Sequence, residues 1–273
     1  MIEFLTLPLE LPFLQRALLA TTLVAVPMAL LSAFLVLRGW SLMGDAIAHA
    51  VLPGVVVSFI AGLPLIIGAF AAGMICALLT GYVSQRSRVK EDTVMGVVFS
   101  SMFALGIVLY GFVETEVHLD HILFGNMLGI TWRDLGLTGL LSLAICVTVL
   151  TLRRDLTLQI FDPTHGRALG LPMARLHLLM LALVALSVVA ALSAVGLILA
   201  IGLLIAPAAI ALLWTNRFPI VLILSVLISV CSAWIGIYLS VYLDSAPAPT
   251  IVVVLTACFV ISFLRPRLPL RRI

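Results

Sequence analysis

Residues 39–63 read GWSLMGDAIAHAVLPGVVVSFIAGL, and Asp45 and His49 are the only acidic or basic side chains in this run. A helix of this length, with Arg38 at its edge and no Lys, Arg or Glu inside it, spans a hydrocarbon core of about 30 Å. Working outward in both directions, hydropathy marks further apolar spans near 16–37, 64–84, 93–113, 135–152, 178–195, 197–213, 220–242 and 249–264, with the quoted run supplying 42–62. Only Gly196 separates the span 178–195 from 197–213, so the count is nine, or eight if one of those short halves fails to cross. The expected fold is an all-α integral membrane protein, a polytopic bundle of eight or nine helices. The spans take up so much of the chain that residues 1–273 read as a single transmembrane domain.

Composition agrees, because 63% of the residues are hydrophobic and 10% charged, whereas about a quarter are charged in soluble domains. The formal charge of +3 does not indicate nucleic acid, since the basic residues are scattered between spans and form no stripe interleaved with aromatics. Residues 1–12 carry Glu3 and Glu10, no basic cluster and no small-x-small cleavage site, so the first span is expected to be retained. Cys76, Cys146, Cys231 and Cys258 each sit in an apolar run without CxxC spacing and read as small buried residues.

Positive charge sets the expected orientation. If QRSRVKED (85–92) is cytoplasmic, then so are Arg38, Arg153, Arg154, Arg167, Arg175, Arg217 and the tail RPRLPLRR, leaving only Arg16 and Arg133 on the other side. With nine spans the amino terminus faces out and the carboxyl terminus faces the cytoplasm. Glu114, Glu116, His118, Asp120 and His121 then share one outer segment, an acidic surface that attracts cations and a candidate outer relay at His118, Asp120 and His121. A solvated loop accounts for the same residues.

An ionisable residue inside a span is read first as functional. Asp45 and His49 are four residues apart, which puts them on one helical face, roughly 10 Å and 16 Å from the boundary at Arg38. Pro53 has no N–H for the carbonyl of His49 and so frees an oxygen beside the imidazole. Carboxylate, imidazole and carbonyl suit manganese, iron(II) or zinc, and suit copper(I) poorly. Met43 is near in sequence but lies on another face by helical spacing. One helix supplies too few ligands for a closed cage, which fits a site that must release its ion and could be completed across an interface. The same spacing also allows an Asp–His hydrogen bond that only pins the helix. Pro27 and Pro207 interrupt two other spans and free the carbonyls of Leu23 and Leu203, as helices lining a transport path often do.

Concentrating a scarce ion needs energy, yet there is no GxxxxGK[ST] loop, and the only lysine, Lys90, lies in SRVKEDT. ATP hydrolysis would therefore fall to a partner, and the chain reads as a transport subunit rather than an enzyme. The longest cytoplasmic segment, 153–177, is a docking candidate because Asp162-Pro163 starts a short helix and Gly170 with Pro172 stops it.

The runs LMGDAIAHAVLPGV, EDTVMGVVFSSMFALG, HLDHILFGNMLG and FDPTHGRALGLP, in this order, resemble the metal-importing ABC permease family that serves manganese, zinc and iron. The third run looks closest to the second permease of the Sit and Yfe manganese/iron systems of Gram-negative bacteria. The resemblance implies a bacterial inner-membrane permease paired with a second permease subunit, identical or related. It further implies cytoplasmic ATP-binding subunits, a periplasmic metal-binding protein that delivers the ion, and no permanently bound cofactor. By position, Asp45 and His49 match the family's intramembrane metal ligands, and Asp162, Pro163, Gly166, Ala168 and Gly170 fall in its ATPase-coupling helix. The competing expectation is an ion-coupled secondary metal transporter that uses Asp45 and His49 as a proton relay. An intramembrane metalloenzyme is disfavoured because no HExxH lies in a span.

Overall fold

The computed structural model describes residues 11–112 and 127–264. Among these the regular structure is helical: α1 Pro12–Arg38, α2 Met43–Ala50, α3 Leu52–Ile60, α4 Leu65–Arg86, α5 Glu91–Tyr110, a 3-10 turn at Met127–Gly129, α6 Trp132–Thr151, α7 Arg153–Phe161, α8 Pro163–Ala168, α9 Met173–Val195, α10 Leu197–Trp214, α11 Phe218–Tyr242 and α12 Pro247–Leu264. Nine helical stretches among the described residues are long and apolar enough to cross a membrane, with α2 and α3 together forming one of them. The expected fold class stands, and Gly196 settles the choice between eight and nine. Its backbone adopts φ +83°, ψ 173°, a region essentially reserved for glycine, so α9 ends there and α10 starts as a separate helix.

Helix ends follow local chemistry. Thr131 and Asp134 form a reciprocal capping box at the start of α6, and Asp162 accepts a hydrogen bond from the His165 N–H (2.8 Å) at the start of α8. The segment 153–177 is more ordered than a docking loop with one short helix. It holds α7 as well as α8, and α9 begins at Met173, about one turn before the expected 178.

Helices α1 and α9 run through the interior. The first packs against α6, α9, α10 and α11, and the second against α4, α6 and α10. The α2–α3 pair lies between α4, α5, α9 and α10. Gly54 and Gly68 bring α3 and α4 into backbone contact, since a Cβ on either would collide with the carbonyl oxygen of the other. Large apolar side chains face outward around the perimeter, among them Leu140 on α6 at 66% exposure, Val97 on α5 and Val253 on α12. A water-facing surface could not carry them so densely, whereas hydrocarbon is their natural surrounding. Hydroxyls in this environment bond the carbonyl one turn back, as Thr21 does to Ala17 and Ser225 to Val221, both at 2.7 Å.

Candidate metal site

Asp45 lies in the first turn of α2, where the unpaired backbone N–H groups favour a carboxylate, and His49 lies in its last turn. The rest of α2 is packed. A Cβ on Gly44 would meet Leu204 of α10, a Cβ on Gly73 of α4 would meet Ile47, and Met43, Ala46, Ala48 and Ala50 are buried. Asp45 and His49 are the exceptions, each with 29% of its side chain exposed, so they occupy the one strip of α2 that its neighbours leave partly open.

The imidazole is oriented from below. His49 Nδ1 lies 3.0 Å from the carbonyl oxygen of Asp45 and 3.1 Å from its Oδ1. With Nδ1–H donating there, Nε2 carries the lone pair and faces away from the helix stem, the tautomer a metal-binding histidine uses when a carboxylate holds its other nitrogen. The carboxylate keeps Oδ2 for a cation. Two rings of α5 flank the imidazole, Phe99 at 5.8 Å and Phe103 edge-on at 5.5 Å between centroids. They shield the pair on one side without competing as ligands, which strengthens any charge interaction at the site.

Pro53 lies beside this strip. Helix α2 closes at Ala50, Val51 keeps helical angles (φ −66°, ψ −28°), and α3 opens at Leu52 with Pro53 in its first turn. The Val51 N–H still bonds Ile47 O (3.1 Å), so the axis continues while Pro53 offers no N–H to the carbonyl of His49. Gly106 of α5 makes room for this turn, because a Cβ there would fall 2.8–2.9 Å from Leu52 and Pro53.

Pro27 and Pro207, expected to interrupt helices along a path, are buried within α1 and α10. No group of three or more His, Cys, Asp or Glu gathers among the described residues, so Asp45 and His49 stand as a pair. The candidate relay His118, Asp120 and His121 lies outside the described residues. At the basic end of the bundle, Asp162 and Pro163 open α8, Gly166 is buried with its Cα side against Met173, and Ala168 ends the helix. Gly170 follows with φ +77°, and Leu169 and Phe161 project into the open beside it. The shielding pair Phe99 and Phe103 escaped the sequence reading, although its spacing of four matches that of Asp45 and His49 and was the available signal.

Residues 10–266 match the ABC 3 transport family. The chain is 48% identical over 257 residues to the chelated iron transport system membrane protein YfeD of Yersinia pestis, covering 94% of this chain and 86% of that protein. It is 45% identical over 252 residues to the manganese transport system membrane protein MntC of Halalkalibacterium halodurans, covering 92% of this chain and 86% of the relative. Among solved structures, PsaBC from Streptococcus pneumoniae in complex with Fab superposes with a TM-score of 0.87 at 36% identity, covering 98% of this chain and 97% of the matched one.

Proposed function

Because this chain belongs to the ABC 3 transport family, we propose that it is the membrane permease subunit of an importer that moves manganese or iron(II), with zinc a further substrate of the same ligand chemistry, into the bacterial cytoplasm. The single observation that carries the reading is the Asp45–His49 pair, left partly open on a helix that is otherwise packed on every side. The names of the relatives, manganese and chelated iron transport proteins, support the same substrate class.

In this reading a dication entering mid-membrane meets His49 Nε2 and the Asp45 carboxylate, with the carbonyl of His49, to which Pro53 cannot donate, as a third ligand. Two side chains fall short of the four to six ligands such ions take, so water or a second permease subunit completes the shell. The incomplete shell keeps affinity low enough for release. Cytoplasmic ATP-binding subunits dock on α7 and α8, where exposed Phe161 and Leu169 offer apolar anchors beside Arg167. Arg38, Arg86, Arg153, Arg154, Arg167, Arg175 and Arg217 all lie near one end of the alternating spans, which supports placing that end in the cytoplasm. A periplasmic protein delivers the ion at the other end, and His118, Asp120 and His121 receive it there.

The test is uptake of Mn2+ by the complete complex in liposomes. Asp45→Ala and His49→Ala are each expected to abolish ATP-driven accumulation while subunit assembly survives. Wild-type accumulation by both variants would refute the site, and uptake driven by a pH gradient without ATPase subunits would point to a secondary transporter instead.

A further inference from the structure

Trp40 and His177 lie at the basic end of the bundle, outside the metal pair and outside the docking helix itself. Trp40 is 4% exposed in the short turn that joins α1 to α2, five residues before Asp45. Its ring meets His177 of α9 edge-on, 5.3 Å between centroids, and the Arg38 guanidinium covers it at 5.1 Å. His177 Nδ1 in turn lies 3.3 Å from Nε2 of Gln159 on α7.

Gln159 is unusual in its surroundings. It is 5% exposed, it shares the buried face of α7 with Leu156 alone, and its Oε1 is buried without a hydrogen-bond partner among the described residues. A buried amide with one unmatched end is unfavourable and calls for an explanation. The amide has two ways to meet His177. Nε2 can donate to an unprotonated Nδ1, or after a half-turn of the amide Oε1 can accept from Nδ1–H. The junction therefore has two hydrogen-bonded states, each of which ties the amide of α7 to the ring that meets Trp40. The other contacts of α7 are apolar: Leu156 is buried in the core, Phe161 meets Phe218 (6.1 Å), and Phe218 meets Phe34 of α1 (5.0 Å). Apolar contacts of that kind tolerate sliding, whereas the amide–imidazole contact is directional.

We infer that Gln159, His177 and Trp40 are positioning residues that carry the displacement of the ATPase-docking helices to α2, so that nucleotide turnover on the partner moves the Asp45–His49 strip. This rests on the permease reading above and specifies how its energy reaches the metal. Gln159 supplies the polar grip on α7, His177 is the middle contact, and Trp40 pushes at the root of α2.

The test uses the whole complex in liposomes, with Mn2+ uptake and ATP hydrolysis measured on the same vesicles, so that the readout is ions moved per ATP. Gln159→Leu is expected to lower that ratio about five-fold, the factor that corresponds to one hydrogen bond of about 1 kcal/mol. ATP hydrolysis should stay within about two-fold and Mn2+ binding should be unchanged, as a grip on motion alone requires. Gln159→Glu, which keeps an acceptor for Nδ1–H, is expected to hold the ratio near wild type. Should Gln159→Leu fail to assemble, His177→Asn keeps the bond to Gln159 but removes the ring from Trp40, and the same fall is expected. A wild-type ratio in Gln159→Leu or His177→Asn overturns the inference, as does a parallel fall of uptake and hydrolysis in every assembled variant, the mark of a purely structural role. If the wild-type complex shows no ATP-driven uptake, the permease reading itself fails, whatever the variants do.

Discussion

Two of the prolines inside the spanning helices, Pro207 in α10 and Pro53 at the α2–α3 junction, are treated by the protein in opposite ways. In α10 a neighbour braces the turn that carries Pro207: Ser32 of α1 donates to the carbonyl of Ile205 and accepts from the N–H of Ala208, both at 3.4 Å, and Pro207 and Ala208 are buried. In α2–α3 the break at Pro53 sits beside His49 on a strip that the surrounding helices leave partly open. The chemical event is the same in both places, the loss of one backbone donor inside a membrane. Where a serine clasps it, the result is a scaffold joint. Where an imidazole and a carboxylate stand next to it, the proposed site gains the His49 carbonyl as a further oxygen for the ion.

The contrast extends to packing. Between α1 and α11, Ser229 donates to the Ala25 carbonyl (3.4 Å) and the Trp234 indole donates to Thr22 (3.0 Å), so the scaffold half is cross-linked by polar contacts between helices. The α3–α4 contact relies instead on close approach at Gly54 and Gly68. Gly54→Val should therefore produce the largest loss, about 3 kcal/mol or more from forcing two backbones apart, read as a collapse in the yield and thermal midpoint of the purified complex. Normal stability in that variant would mean that α3 and α4 do not meet as described.

Pro53→Ala comes next. It restores an N–H that can bond the His49 carbonyl, so the helix should be as stable as wild type while Mn2+ uptake falls about five- to tenfold, the equivalent of one hydrogen bond withdrawn from the ion. Unchanged uptake would remove the carbonyl from the site. The smallest effect is expected at the other break, where Ser32→Ala deletes two long interhelical contacts. A stability loss of about 0.6 kcal/mol with uptake unaltered would be in keeping with serine bridges in other membrane bundles. A transport defect as large as that of Pro53→Ala would erase the distinction between the two joints.

Much of this architecture is legible from residue order, for reasons that differ by element. Hydrocarbon admits only satisfied backbones, so every long apolar run had to be a helix, and the spans fall within a few residues of their expected limits. Gly196 punctuates two spans through its backbone freedom, and Asp162-Pro163 announces the start of α8 through capping chemistry. Helix α7 was hidden because its buried face consists of Leu156 and Gln159 alone, too few positions for a periodic pattern. The Ser32 clasp was hidden because its partners lie more than 170 residues away along the chain. The Asp45–His49 pair was visible as a spacing, but its orientation was not. Only the packing of Gly44, Ile47 and their neighbours decides which face of α2 stays open, and only the ring position decides that Nδ1 turns to Asp45 and leaves Nε2 outward.

In the proposed site, His49 places an imidazole nitrogen on the transported ion. Electron paramagnetic resonance of Mn2+ bound to the purified complex can detect a directly coordinated nitrogen. A nitrogen coupling is expected in the wild type, vanishing in His49→Ala and persisting in Ser32→Ala. A wild-type ion surrounded only by oxygen, or a nitrogen coupling that survives in His49→Ala, would contradict it.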